Sequence, residues 1–315
     1  FCGLFLVTAN AWAQPTGGSG VSDNDLQLNT ITTSLPFMAI TPDSRAGGMG
    51  DAGTALSASS TSIYWNTSIL SFAKQKSEAS LSYTPWLRQL TNDIHLSYLA
   101  GYKQINKVHT IGGALRYFSL GEITFTDING DVLREDKPSE FELTGAYAFK
   151  LAEKFSIGVN GKFAYSNLTG GLTVAGVNTK PGVVGASDLS FSYYNDDAKL
   201  GKTDGVYTFG LTINNIGNKV AYSELSRRDF IPMNLKIGNS FLAEFDEYNK
   251  VTFSLDLQRL LVPTPAFYQV QNGEYVMLAG MSGDVGVVKS ILQSFYDAPG
   301  VLAKDENGDY IQLAD

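Results

Sequence analysis

The chain has 315 residues, of which 43% are hydrophobic and only 17% charged, with a formal net charge of −8. That acidic balance supplies no basic phosphate-binding face and excludes nucleic acid as a partner. No stretch of about 18 apolar residues occurs, so no helix is long enough to cross a bilayer; alternating strands evade that test and leave a barrel open.

The first residues, Phe1 to Thr8, are an apolar run leading to Ala11-Trp12-Ala13 before Gln14. They read as the end of a secretory signal peptide (residues 1–13) whose start is missing, so the chain is expected to be a fragment. Its removal takes Cys2, the single cysteine, and leaves no thiolate for metal binding, disulfides or catalysis. Residues 14–30 are polar and Gly-rich, as a mobile tail would be. From Leu35 to Phe72 the chain is rich in Gly and Ala, with a short helix expected from Gly48 to Ala58. This stretch is either a plain lead-in or a hatch folded into a barrel lumen; with the tail it makes up residues 14–72.

Residues 73–315 read as strands in sequence. The clearest pair runs from Pro138 to Ser166. Phe141, Leu143, Tyr147 and Phe149 alternate with Glu140, Glu142, Thr144 and Ala148; after a short turn, Phe155, Ile157, Val159 and Phe163 alternate with Ser156, Asn160, Lys162 and Ala164. Further strands are expected near 76–84, 93–103, 108–119, 187–195, 205–214, 232–243 and 250–259. In the 93–103 strand the parity puts His95 and Ser97 on the lumen side, opposite Ile94, Leu96 and Tyr98. Short connections alternate with long ones, as periplasmic turns alternate with extracellular loops in outer-membrane barrels. The fold class is therefore all-β, an antiparallel transmembrane β-barrel facing the lipid bilayer. Within the long loops, Asn129-Gly130, Asn272-Gly273 and Asn307-Gly308 read as type I′ hairpin turns, and Asp284 to Tyr296 has helical apolar spacing.

Little in the chain carries chemistry. His95 and His109 belong to no H-E-x-x-H or G-x-S-x-G pattern, although His95 beside Ser97 leaves a lipase conceivable. Asp127 to Asp131 and Asp305 to Asp309 lack calcium-loop spacing and are better explained as turns. No cofactor or metal is expected. On the lumen side Arg116, Glu140 and Glu142 share one region, and Arg45 and Asp51 of the N-terminal segment could join them in a network that fixes a plug; the alternative is a solvated pore wall.

The run Ala46 to Ala55, followed by Ser62-Ile63-Tyr64-Trp65-Asn66, resembles the hatch of the FadL-like outer-membrane barrels, with Asn66-Thr67-Ser68 where that superfamily has Asn-Pro-Ala. More closely, Leu35 to Arg45 together with Ser294 to Gly300 resembles the PorV (LptO) family of the Bacteroidetes type IX secretion system. The resemblance implies a 14-stranded outer-membrane barrel without enzymatic activity. Such a protein binds the C-terminal domain of secreted cargo at the translocon and delivers it to the surface sortase attachment complex. Nine strands would then form an open sheet whose edges are 76–84 and 250–259, a barrel truncated at its C-terminus. The loop after Leu260, with Tyr275, Val276, Leu278, Ile291, Leu292, Phe295 and Tyr296, is the expected partner-binding surface. A FadL-like channel for hydrophobic small molecules is the rival reading.

Overall fold

The computed structural model describes residues 30–89, 91–126, 129–168, 173–174, 177–201, 203–223, 228–246, 248–271, 274–298, 301–304 and 310–314, so the signal and tail readings lie outside it. Two units can be distinguished: Thr32–Val262 with Val285–Phe295, and a smaller one built on Pro263–Asp284 and Tyr296–Asp315.

In chain order the larger unit contains β1 (Ser77–Pro85), β2 (Ile94–Gln104), β3 (His109–Leu120) and the small hairpin β4 (Ile123–Thr126) and β5 (Val132–Asp136). There follow β6 (Ser139–Lys150), β7 (Phe155–Asn167), the two-residue pair β8 (Thr173–Val174) and β9 (Val177–Asn178), and β10 (Gly182–Leu200). β11 (Thr203–Gly217), β12 (Asn234–Glu244) and β13 (Lys250–Leu260) complete it. One curled sheet joins nine of them in the order β1-β2-β3-β6-β7-β10-β11-β12-β13. Each neighbouring pair is antiparallel. Among the described residues β1 and β13 pair on one side only, so the sheet is open.

Alternation sorts the side chains. Outward residues are apolar and exposed, with Leu81 at 74%, Phe253 at 61% and Leu257 at 62%. A monomer in water rarely exposes more than a few hundred Å² of continuous apolar surface, so this belt needs lipid. Across the sheet Tyr83, Ser97, Tyr117, Phe141 and Tyr165 fall in one register row. His109 and Phe149 lie eight residues from that row along β3 and β6, about 26 Å of strand. Aromatic residues thus edge the apolar band on both sides, the girdle of a membrane barrel.

The register corrects two expectations. In β2 the buried residues are Leu96, Tyr98, Ala100 and Tyr102, so His95 and Ser97 face outward. The His95 ring lies 5.1 Å from Tyr83 and 6.1 Å from Tyr117 within the girdle, not in the lumen. Large residues turn inward here because the hatch offers them apolar packing. β10 is longer than 187–195: bulges between Ser187 and Leu189 and between Asn195 and Ala198 absorb the Asn-Asp-Asp run that reads as a turn.

The smaller unit holds two hairpins, β14 (Phe267–Gln271) with β15 (Glu274–Ala279), and β16 (Val301–Lys304) with β17 (Tyr310–Ala314). Their Asn272-Gly273 and Asn307-Gly308 turns lie outside the described residues. A helix, α3 (Val287–Gln293), falls within the 284–296 stretch and belongs to the larger unit.

At the long-loop end Asp93 clamps two connections. Its carboxylate accepts from the Thr91 hydroxyl and from the Glu122 amide (2.7 Å), and its carbonyl accepts from Ser119 Oγ (3.1 Å). Gly121 sits at φ 82° with Asp93 2.8 Å from where a Cβ would be, so only glycine fits. The Thr91 hydroxyl, and then the Glu122 amide, hold the Asp93 carboxyl below its ordinary 3.8. A depressed folded pKa gives order that is full above pH ~4 and lost as the pH falls through the lowered value. Protection of the Glu122 amide in hydrogen exchange, corrected for intrinsic rates, is therefore expected to hold from neutral pH down to about 4 and to collapse below. Collapse near pH 6 would contradict the clamp.

Candidate functional site

The polar face of the sheet is filled by residues 35–72. This hatch starts at Leu35 in a left-handed conformation (φ 51°), runs through a 3₁₀ turn at Pro36–Ala39, and forms a one-turn helix, α1 (Ser44–Gly48). The Asp43 carboxylate caps α1 through the Ala46 amide (2.8 Å) and accepts Trp65 Nε1 with its other oxygen (2.7 Å). The helix lies at 44–48 instead of 48–58 because that cap starts it early. Gly50 (φ 72°) and Asp51 (φ 61°) then form a left-handed turn that stops it. Gly53 lies flat against the Trp65 ring, where a Cβ would come within 2.2 Å. A second short helix, α2 (Ser62–Trp65), and a 3₁₀ turn, Thr67–Phe72, lead to β1.

Hydrogen bonds tie the hatch to strands around the whole sheet. Ser60 bonds to Glu78 and Ser80 of β1, and Gly53 N and Thr54 N donate to Asp256 Oδ2 of β13 (2.9 and 2.8 Å). Asn66 uses both ends of its amide. Nδ2 donates to Thr54 O (2.8 Å) and Ser192 Oγ (2.9 Å), while Oδ1 accepts from Ser68 N (3.1 Å) and Ser68 Oγ (2.5 Å). Thr67 Oγ1 reaches Asn160 Oδ1 (2.6 Å), Asn160 Nδ2 donates to Ile63 O (3.0 Å), and Ser156 Oγ donates to Ser68 O (2.9 Å). Wall glycines allow this approach: a Cβ on Gly158 would lie 2.5 Å from Ser68 N, and one on Gly210 2.4 Å from Thr54 O.

The buried charges surround Tyr64. Arg116 is 1% exposed and donates from Nη1 to Phe37 O (3.1 Å) and Met38 O (2.9 Å). Its guanidinium lies 4.6 Å from the Tyr64 ring centroid and 5.6 Å from that of Tyr98. Lys236 Nζ lies 4.8 Å from the Tyr64 centroid and 4.3 Å from that of Trp65, so two cations share one aromatic ring. Glu142 stands opposite Arg116 in register, and its Oε1 accepts from Thr144 Oγ1 (3.0 Å). Among the described residues no ion pair joins Arg116 to Glu140 or Glu142, and Arg116 Nε and Nη2, Glu140 Oε1 and Glu142 Oε2 have no hydrogen-bond partner. The direct ion pair lies elsewhere: Lys162 Nζ meets Asp188 Oδ2 at 2.8 Å, with Asn160 Nδ2, Asn215 N and Asn215 Oδ1 completing the cluster.

Neither Arg45 nor Asp51 makes an ion pair with Arg116, Glu140 or Glu142 among the described residues. Both are exposed: Arg45 donates to Ser57 Oγ (3.0 Å), while the Asp51 amide donates to Ala46 O (2.9 Å) and its carbonyl accepts from Gln258 Nε2 (3.5 Å). Asp51, in the left-handed turn, also lines a small cavity of about 110 Å³ together with Tyr64, Trp65, Asn214 and Lys236. Lys162, Asp188 and Lys236 were missed as network members. Lys162 carries the signal of its polar-face parity, whereas Lys236 sits in a strand whose inward parity is Lys-Gly-Ser and shows no special pattern.

At its two ends the inner face differs. Toward the long loops Leu35, Phe37, Met38, Leu96, Phe118, Val184, Ile231, Met233 and Leu261 form an apolar cluster, so the lumen-side residues are not polar throughout. Toward the short turns a cavity of about 290 Å³ is lined by Phe72, Tyr102, Tyr194, Val206 and Leu242 along with Lys74, Glu78, Thr208, Ser240 and Lys250. On α3, Val287 and Ile291 pack against the apolar cluster, while Val288, Leu292 and Phe295 are exposed. The Arg259 guanidinium stacks 4.7 Å from the Phe295 ring and donates to Ser294 O. Ile291 is therefore a packing residue and not part of the free surface. Leu278 (half-buried, in β15) and Tyr296 (exposed) belong to the smaller unit, and the side chains of Tyr275 and Val276 lie outside the described residues.

A family model described as "Type IX secretion system protein PorV" matches residues 22–267, which span the hatch and all nine strands of the sheet. No curated protein matches the chain.

The hatch bonds are testable. Asn66→Ala strands the Thr54 carbonyl, Ser192 and Ser68, a loss of about 1–3 kcal/mol, and Gly158→Val drives a side chain into the Ser68 backbone. Both variants are expected to assemble in the membrane yet to be cleaved within residues 35–72 by a protease that spares the wild-type protein. Equal protection in both would show that these contacts do not hold the hatch.

Proposed function

Because the chain belongs to the PorV family of type IX secretion system proteins, we propose that it is an outer-membrane component of that machinery. In this reading it binds the C-terminal domain of secreted cargo at the translocon and delivers it to the surface sortase attachment complex, performing no reaction itself. The observation that carries the reading is the hatch, bonded to β1, β3, β7, β10, β11 and β13. A wall so engaged favours the handling of cargo at the rim over its passage along the inner face. A channel for hydrophobic small molecules would need an apolar path through the sheet, which the Asn66, Ser68, Ser156 and Asn160 bonds interrupt.

The short connections mark the periplasmic side and the long ones the cell surface. On that outer side the exposed face of α3 is a modest apolar patch, Val288, Leu292 and Phe295, rimmed by Lys289 and Arg259. A carrier must release what it holds, which favours such a patch over a deep pocket. The test replaces Leu292 and Phe295 with Ser in the full-length protein and leaves the packed Ile291 intact. Cargo recovered with the protein is expected to fall about tenfold or more while barrel assembly, read by heat-modifiable mobility, is unchanged. Cargo recovery at the wild-type level would overturn the assignment of this face.

A further inference from the structure

All four short connections that follow β2, β6, β10 and β12 carry exposed apolar side chains. Ile105 and Val108 lie in the first, Leu151 in the second, Leu200 at the third, and Phe245 and Tyr248 in the fourth. Outward aromatics sit directly beside these turns: the His109 ring is 5.2 Å from Phe149, and Phe155 is 5.1 Å from Tyr193. Apolar turn tips continuous with an aromatic girdle place this rim at the depth of the lipid headgroups instead of free in the periplasm.

The charges on the rim are split. From β1 to β7 it carries Lys74, Lys76, Lys103, Lys107, Lys150 and Lys154 against Glu78 and Glu153. From β10 to β13 the described residues are Asp196, Asp197, Asp204, Glu244 and Asp246, and the two lysines among them are already paired: Lys199 with Asp204 (3.1 Å) and Lys250 with Glu244 (2.6 Å). On the basic side Lys103 and Lys107 have no ion pair among the described residues, and Lys154 touches only a neutral group, Asn195 Oδ1 (2.8 Å). Lys103 shares the outward parity of the exposed Leu99. The Lys150 amide donates to Val108 O (2.9 Å), which sets the first two turns side by side. Unpaired ammonium groups on flexible stems, at headgroup depth and beside exposed apolar tips, are what a lipid phosphate meets favourably.

We propose that this basic sector, through Lys103, Lys107 and Lys154, binds the phosphates of anionic phospholipids in the leaflet facing the short turns, and that the acidic sector from β10 to β13 excludes them. The lipid shell around the protein is then lopsided, and the barrel has a preferred orientation toward anionic lipid. This rests on the membrane reading above.

The test reconstitutes the full-length protein in phosphatidylcholine vesicles with trace spin-labelled phosphatidylglycerol or spin-labelled phosphatidylcholine. Electron spin resonance then reads the lipid held at the protein surface. Phosphatidylglycerol is expected to be preferred about three- to fivefold at low salt, with the preference vanishing at 1 M NaCl, where screening reaches about 3 Å. It should also vanish in the K103Q/K107Q/K154Q variant and persist in D196N/D197N. No preference in the wild-type protein, or one unchanged in the triple variant, overturns the proposal. So does an unchanged lipid preference accompanied by loss of a co-purifying type IX component, because the sector would then serve an acidic protein surface. Absence of any surface-held lipid would overturn the membrane reading itself. Should the triple variant fail to assemble, the salt dependence of the wild-type protein alone decides.

Discussion

Charge taken out of water inside the sheet is the constraint on which the rest of the larger unit depends. Arg116, Lys162, Lys236, Glu140, Glu142 and Asp188 are all buried on one wall. An unpaired buried ion costs several kcal/mol, and apolar packing cannot recover it. Lys162 and Asp188 pair with each other on the wall, while for Arg116 and Lys236 the hatch answers with backbone carbonyls and aromatic faces. Tyr64 does most of this, accepting Arg116 and Lys236 on its ring while its hydroxyl donates to Ala39 O (2.9 Å). The hatch is thus part of the wall's electrostatics as much as a stopper.

Glycine and small residues follow from the same constraint. A backbone that bonds to a wall must come within about 3 Å of it, and Gly158, Gly210 and Gly238 are the places where it does. Elsewhere, Ala100, Ala114, Ala146 and Ala148 give Tyr64 and Trp65 room in a second apolar cluster. Small inward residues are therefore the imprint of the hatch on the strands, and large outward ones the imprint of lipid.

How far this was legible depended on whether one neighbour or two decided a residue's place. In β6 and β7 one face meets lipid and the other the hatch, so strict alternation named both faces correctly. β2 failed that test because Leu96, Tyr98 and Tyr102 are large residues packed inward, and size without partners says nothing about direction. Arg116 was recognisable as a lumen charge from parity alone. Its bonds to Phe37 O and Met38 O were not, since backbone acceptors leave no mark in the sequence. Arg45 was misplaced for the converse reason: the Asp43 cap sets the start of its helix, and the apolar pattern around it does not carry that cap.

The seal at the long-loop end bears on how such a protein is assembled. Leu35 and Phe37 precede the first strand, yet they are closed in by Phe230, Ile231, Met233, Leu261 and Ile291, and the Ser34 amide donates to Phe230 O (2.8 Å). The Gly53 and Thr54 amides likewise wait for Asp256, about 200 positions later. Contacts of such separation form late, after the loop between them has been closed. The seal at this end, and with it the bonding of the hatch amides, is therefore complete only once β13 has joined the sheet.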